Sequence, residues 1–102
     1  MKPEKIIFID KQLEKSFTEL NDNDPIKKGI IRAINTLKED AFCGRNVKKK
    51  LIPKHLIQKY SINNLRIFNL PNGWRMLYAL TPSEEIEIIA VILDWLNKQE
   101  KI

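Results

Sequence analysis

Apolar positions change their period several times along this chain of 102 residues. Residues 5–10 form a short isoleucine-rich run with no helical spacing, which predicts a first strand moderately buried on both faces. Leu13, Phe17 and Leu20 then fall at i, i+4 and i+7, one helical face, with Asp10 as N-cap. The polar stretch Asn21-Asp22-Asn23-Asp24-Pro25 reads as a loop that also starts a second helix, capped by Asp24 with Pro25 at the first helical position. Its stripe is Ile26, Ile30, Ala33, Ile34 and Leu37, running to about Asp40. Two such helices predict an antiparallel hairpin whose apolar faces cover a sheet.

Cys43-Gly44-Arg45-Asn46 breaks the helix, residues 47–52 form a basic connector, and Pro53 opens one or two helical turns anchored by Leu56, Ile57 and Tyr60. The pattern then becomes strand-like. Residues 64–70 and 74–80 flank Pro71-Asn72-Gly73, and Asn-Gly between apolar runs is a strong hairpin signal. Thr81-Pro82-Ser83-Glu84 predicts a further turn, and residues 86–93, apolar at nearly every position, a central third strand. Asp94 is expected to cap a last short helix from Trp95 to about Lys101. The fold class expected is α+β: an antiparallel three-strand meander plus an N-terminal strand, packed on a helical hairpin, in the order β-α-α-(α)-β-β-β-α. Residues 1–102 read as one domain, with no repeat or linker.

Composition narrows the class. Hydrophobic residues at 43% and charged residues at 30% fit a folded globular chain. No apolar run approaches the roughly 18–20 residues that span a bilayer, and the start of the chain does not resemble a secretory signal. A single cysteine, Cys43, allows no internal disulfide, so a cytoplasmic location is expected. The 18 Lys and Arg against 13 Asp and Glu give a net charge of +5. Residues 41–83 hold no acidic residue and eight basic ones: Arg45, Lys48, Lys49, Lys50, Lys54, Lys59, Arg66 and Arg75. Such a block suits a polyanionic partner; the plainer reading is a lysine-rich solvated surface.

Conventional catalytic sets are missing. His55 and Cys43 are single and lack an orienting third group, the three glycines are scattered, and Gly29 sits in a helix where close packing is its expected role. Glu84, Glu85 and Glu87 read as a solvated edge, and Tyr78 as core. The remaining chemistry is cationic. Arg66 and Arg75 each interrupt an apolar strand, and an arginine on a sheet face among short apolar groups is placed to hold a phosphate bidentately. The plainer reading pairs such an arginine with Glu84 or Glu87. Arg45, Lys48, Lys49, Lys50 and Lys54 are candidate nucleic-acid contacts, with Tyr60, Phe68, Tyr78 and Trp74 beside the turn as a thin stacking surface and Trp95 sealing the core.

Residues 65–78, Leu-Arg-Ile-Phe-Asn-Leu-Pro-Asn-Gly-Trp-Arg-Met-Leu-Tyr, resemble the strand–turn–strand of the RelE/ParE superfamily of toxins, where a Gly-containing turn precedes aromatic-Arg-aliphatic-aliphatic-Tyr. Residues 88–95, Ile-Ile-Ala-Val-Ile-Leu-Asp-Trp, are similar to the family's last strand, most like archaeal RelE-type members. The resemblance implies a toxin of a type II toxin–antitoxin system, neutralised by a cognate antitoxin. RelE-type members cut mRNA in the ribosomal A site, without a metal or other cofactor, while ParE-type members poison DNA gyrase. Carried over, Arg75 matches the phosphate-binding arginine, Arg66 takes the place of a strand lysine, and Lys98 is the candidate for a C-terminal cationic position. Phe68 stands where a second lysine is expected, Leu96 lies near the expected C-terminal arginine, and no tyrosine follows. The alternative is therefore a non-nuclease member, either a gyrase inhibitor or an inactive homologue held by its antitoxin.

Overall fold

The computed structural model describes residues 2–82 and 88–97. Strand β1 (Lys5–Phe8) leads into helix α1 (Lys11–Thr18), and α2 (Pro25–Glu39) follows. A two-residue strand β2 (Arg45–Asn46), a 3-10 turn (Lys49–Leu51) and helix α3 (Lys54–Tyr60) connect α2 to the meander β3 (Arg66–Asn69), β4 (Trp74–Pro82) and β5 (Ile88–Asn97). These strands form one sheet in the order β1-β5-β4-β3-β2, antiparallel except for β1, which lies parallel to β5. The α+β class and the helical hairpin on a sheet are as the sequence predicts.

Local chemistry sets the helix starts. The Asp10 carboxylate accepts from Leu13 N–H at 2.8 Å and that of Asp24 from Ile26 N–H at 2.8 Å, each satisfying an otherwise orphaned donor. The ammonium of Lys27 closes the end of α1, donating to Leu20 O at 3.1 Å and to Asp22 Oδ1 at 2.8 Å.

The sheet has two different faces. On one, Ile30, Ala33 and Leu37 of α2 pack with Met76, Tyr78 and Ile92, and Phe8, Leu13, Phe17 and Trp95 close the margin. On the other, Ile52 and Leu56 pack against Leu65, Ile67, Leu77 and Ala79, so α3 covers only the middle strands. Gly29 lets α2 meet the β3–β4 turn, since a Cβ there would stand 2.4 Å from Pro71 Cδ.

Four expectations change. The first strand is buried on one face only: Ile7 is 40% and Ile9 36% exposed, because α3 does not reach this edge of the sheet. Arg45 and Asn46, expected only to break the helix, form the edge strand β2, and the basic connector holds a 3-10 turn. No helix begins at Trp95. The start of β4 offers backbone partners as far as Trp74↔Asn97, so β5 continues through Asn97. Between Tyr78↔Ile92 and Leu77↔Asp94 the register shifts, leaving Leu93 as an extra residue. The expected 81–84 turn is strand as far as Pro82, while Glu84, Glu85 and Glu87 lie outside the described residues.

Gly29→Ala should destabilise the fold by about 1–3 kcal/mol, although alanine is the better helix former, because the methyl overpacks Pro71. Urea unfolding would measure it; a rise in midpoint would disprove the contact.

Candidate nucleic-acid interface

The cationic candidates do not form one cluster. The pairs Arg66↔Tyr78, Phe68↔Met76 and Asn69↔Arg75 put Arg66 on the face toward the helical hairpin and Arg75 on the opposite face. The Arg66 guanidinium donates to Gly44 O at 2.7 Å and Phe42 O at 3.1 Å and stacks over the Phe42 ring, 4.9 Å from its centroid. One terminal nitrogen of the guanidinium thus holds the segment that leaves α2. Phe42 is 45% exposed, and its own N–H donates to Asp40 Oδ1 at 3.0 Å.

The same segment is held from inside by Tyr78. Its hydroxyl donates to Ala41 O at 2.9 Å and accepts from Gly44 N–H at 2.8 Å, with no solvent exposure. Gly44 packs on the ring so closely that a Cβ would stand 2.6 Å from the hydroxyl. Burial pushes the phenol up to about 12. Burial also raises the Cys43 thiol, whose sulfur lies 4.0 Å from that hydroxyl, so the thiolate is disfavoured. His55 sits on the exposed side of α3 and does not join it.

Arg75 is different. It stands half-buried on an interior strand, with Asn69 of β3 and Leu96 of β5 in register beside it. Among the described residues no hydrogen bond or ion pair engages it, and Glu84 and Glu87, its alternative partners, lie outside them. Arg45 shares this face, paired with Ile67, two strands away and one side-chain period along. Sheet spacing puts Arg45 and Arg75 about 12 Å apart at Cα. Lys48, Lys49 and Lys50 lie farther off. Val47 N–H bonds Leu65 O at 2.9 Å, so the lysines begin past Leu65, at the end of the sheet away from the turn. Lys54 is exposed at the start of α3. An aliphatic groove of about 400 Å³ between Arg45, Lys48, Val47, Leu51 and Ile67 lies along this edge.

Trp74 is half-buried and packs with the hairpin-side core, as do Phe68 and Trp95. Lys98 lies outside the described residues. In the sequence Lys59 belongs only to the basic block, Tyr60 reads as a candidate stacking group and Asp94 has no site role. With Asp10, Gln12 and Ser16 they line a cleft of about 290 Å³ between the start of α1 and the end of α3. Asp94 reads as a helix cap in the sequence because Asp before an amphipathic run signals an N-terminus; only the length of β4 reveals otherwise.

Among the described residues no group of three His, Cys, Asp or Glu is placed to hold a metal, and no helix is long and apolar enough to cross a membrane. No protein-family model matches the chain, and no curated protein or solved structure matches it.

Tyr78→Phe leaves Gly44 N–H and Ala41 O without their buried partner and should cost about 1–3 kcal/mol in urea unfolding. The folded protein raises this phenol above its ordinary value of 10.0, so its contribution is intact below about pH 10 and lost as pH rises toward 12. The gap in stability between wild type and Tyr78→Phe should accordingly narrow across that window, and a constant gap would contradict the buried phenol.

Proposed function

We propose that this chain is a RelE/ParE-like toxin that grips the phosphate backbone of mRNA on the sheet face opposite its helical hairpin and cuts that RNA on the ribosome. The observation that carries the reading is Arg75, half-buried on an interior strand and uncommitted among the described residues, in a stretch of 43 residues with eight positive charges and no negative one. A guanidinium so placed presents a planar fork to a phosphate. Arg45, across the same face, extends the positive field along a strand of RNA. Arg66 serves here as a positioning residue, because its donors hold the carbonyls of Phe42 and Gly44.

Charge stabilisation of the phosphorane is the main catalytic contribution such an arrangement supplies. The partner that restrains it is a cognate antitoxin, an acidic or amphipathic segment complementary to the basic face. A short acidic reading frame next to this one would support that pairing.

A second reading has its own support. The residues paired with Arg75 are Asn69 and Leu96, and Phe68 packs on the other face, so none of these three supplies a proton-transfer group. That favours a grip without cleavage, in a gyrase inhibitor or an inactive homologue held by its antitoxin. Lys98 keeps its proposed cationic role in either case.

Induced expression followed by primer extension on a translated mRNA decides between them. Codon-phased cuts that vanish in Arg75→Ala support the nuclease, whereas intact mRNA with arrested replication supports the gyrase reading. Independently, the purified protein should bind single-stranded RNA with an affinity that falls steeply between about 50 and 200 mM salt, and Arg75→Ala should lower the log–log slope by about 1. Binding that ignores salt would contradict the phosphate grip.

A further inference from the structure

Resting on the nuclease reading above, we propose that Asp94 is the general base that takes the 2′-hydroxyl proton of the RNA, and that the cleft between α1 and α3 holds the nucleotide carrying that hydroxyl. The pairs Leu77↔Asp94 and Arg75↔Leu96 make Asp94 the diagonal neighbour of Arg75 across β4 and β5. Diagonal neighbours stand about 7–8 Å apart, room for a phosphate and its adjoining ribose between the two side chains. Both are on the face opposite the helical hairpin, since Leu77 packs with α3 while the next pair, Met76↔Trp95, belongs to the hairpin-side core.

Asp94 is held in place. Its Oδ1 accepts from the Trp95 N–H at 2.8 Å, and Oδ2 has no partner among the described residues. The half-buried carboxylate opens into the cleft of about 290 Å³, whose far wall is the end of α3. There the Lys59 ammonium lies 5.2 Å from the centre of the Tyr60 ring, putting a phosphate-pairing cation beside an aromatic face for a base. The charged groups around Asp94 are Asp10 and Lys59 in the cleft and Arg75 on the sheet. Asp10 caps α1 through Leu13 N–H as Asp94 holds Trp95 N–H; of the two, Asp94 is the one on the strand beside Arg75.

The step balances without a co-reactant. The 2′-hydroxyl gives its proton to Asp94 Oδ2 and its oxygen bonds to phosphorus, closing a 2′,3′-cyclic phosphate. The P–O5′ bond breaks, the departing 5′ oxygen takes a proton from solvent water, and Asp94 gives its proton to the hydroxide so formed, leaving the carboxylate as it began. Arg75 faces the charge that builds on the phosphoryl oxygens, and Asp94 works by proton transfer.

The test uses the whole chain with translating ribosomes and a defined mRNA, read by single-turnover cleavage across pH, beside binding of oligouridylate. Asp94→Asn keeps the Oδ1 acceptor for Trp95, so thermal unfolding should match wild type. Its cleavage rate should fall by about 10²–10⁴-fold, with the unit-slope acid limb of the wild-type pH profile gone and RNA affinity undiminished. Asp94→Glu should recover part of the rate and the acid limb. Tyr60→Leu should weaken oligouridylate binding about tenfold. Wild-type cleavage by Asp94→Asn, or an unchanged acid limb, overturns the assignment while the RNA grip stands. RNA bound by wild type but never cut overturns Asp94 together with the nuclease reading, and no binding at all overturns the proposed function itself.

Discussion

A buried phenol holds the corner at which this molecule turns from helices into sheet. The Tyr78 hydroxyl lies on the central strand β4, yet its two hydrogen bonds go to Ala41 and Gly44, in the segment that leaves α2. Those two backbone groups face the interior and no water reaches them, so the hydroxyl is their means of satisfaction. Arg66 grips the same segment from the outside, through the carbonyls of Phe42 and Gly44. Everything that follows hangs from this corner: the edge strand β2, the 3-10 turn with its lysines, and α3, which seals half of the second face. The need for a glycine at position 44 comes from the same place, because the ring occupies the space a side chain would fill.

That arrangement divides the two strand arginines. Alternation along β3 and β4 sends Arg66 toward the helical layer and Arg75 away from it. One guanidinium ends up among backbone carbonyls, where it organises the chain; the other stands on a face that α3 leaves partly open. A charge count weighs them equally, but only the second is presented outward on an interior strand of the sheet. The lysines of the connector, at the opposite end of that face, contribute a field more than a contact.

Much of the fold is legible in the sequence, and the reasons are local. Asp10, Asp24 and Pro25 announce helix starts through bonds made within three residues, and the Asn-Gly turn fixes the β3–β4 register. Tyr78 reads correctly as core because it alternates with Met76 on an apolar face. What is not legible depends on partners distant in sequence. Ile7 and Ile9 look like interior residues until α3 is seen to stop short of β1. Asp94 and Trp95 look like a helix start until β4 is found to offer them a ladder. For the candidate site the same rule holds: Arg75 is visible as an anomaly in its strand, whereas the cleft of Asp94, Lys59, Tyr60 and Ser16 joins β5, α3 and α1, which no spacing rule connects.

The extra residue at Leu93 has a consequence for how this chain can change. A strand is a two-state code in which odd and even positions belong to different sides, and the bulge inverts that code halfway along β5. Paired without it, Asp94 would fall opposite Met76, as a carboxylate inside the hydrophobic layer, and Trp95 would stand outside. The indole's share of the core and the carboxylate's place beside Arg75 are thus one decision, made by a single inserted residue. Point substitutions can vary either independently, but losing or gaining one residue in β5 would exchange both at once. Length in this strand is therefore constrained more tightly than identity.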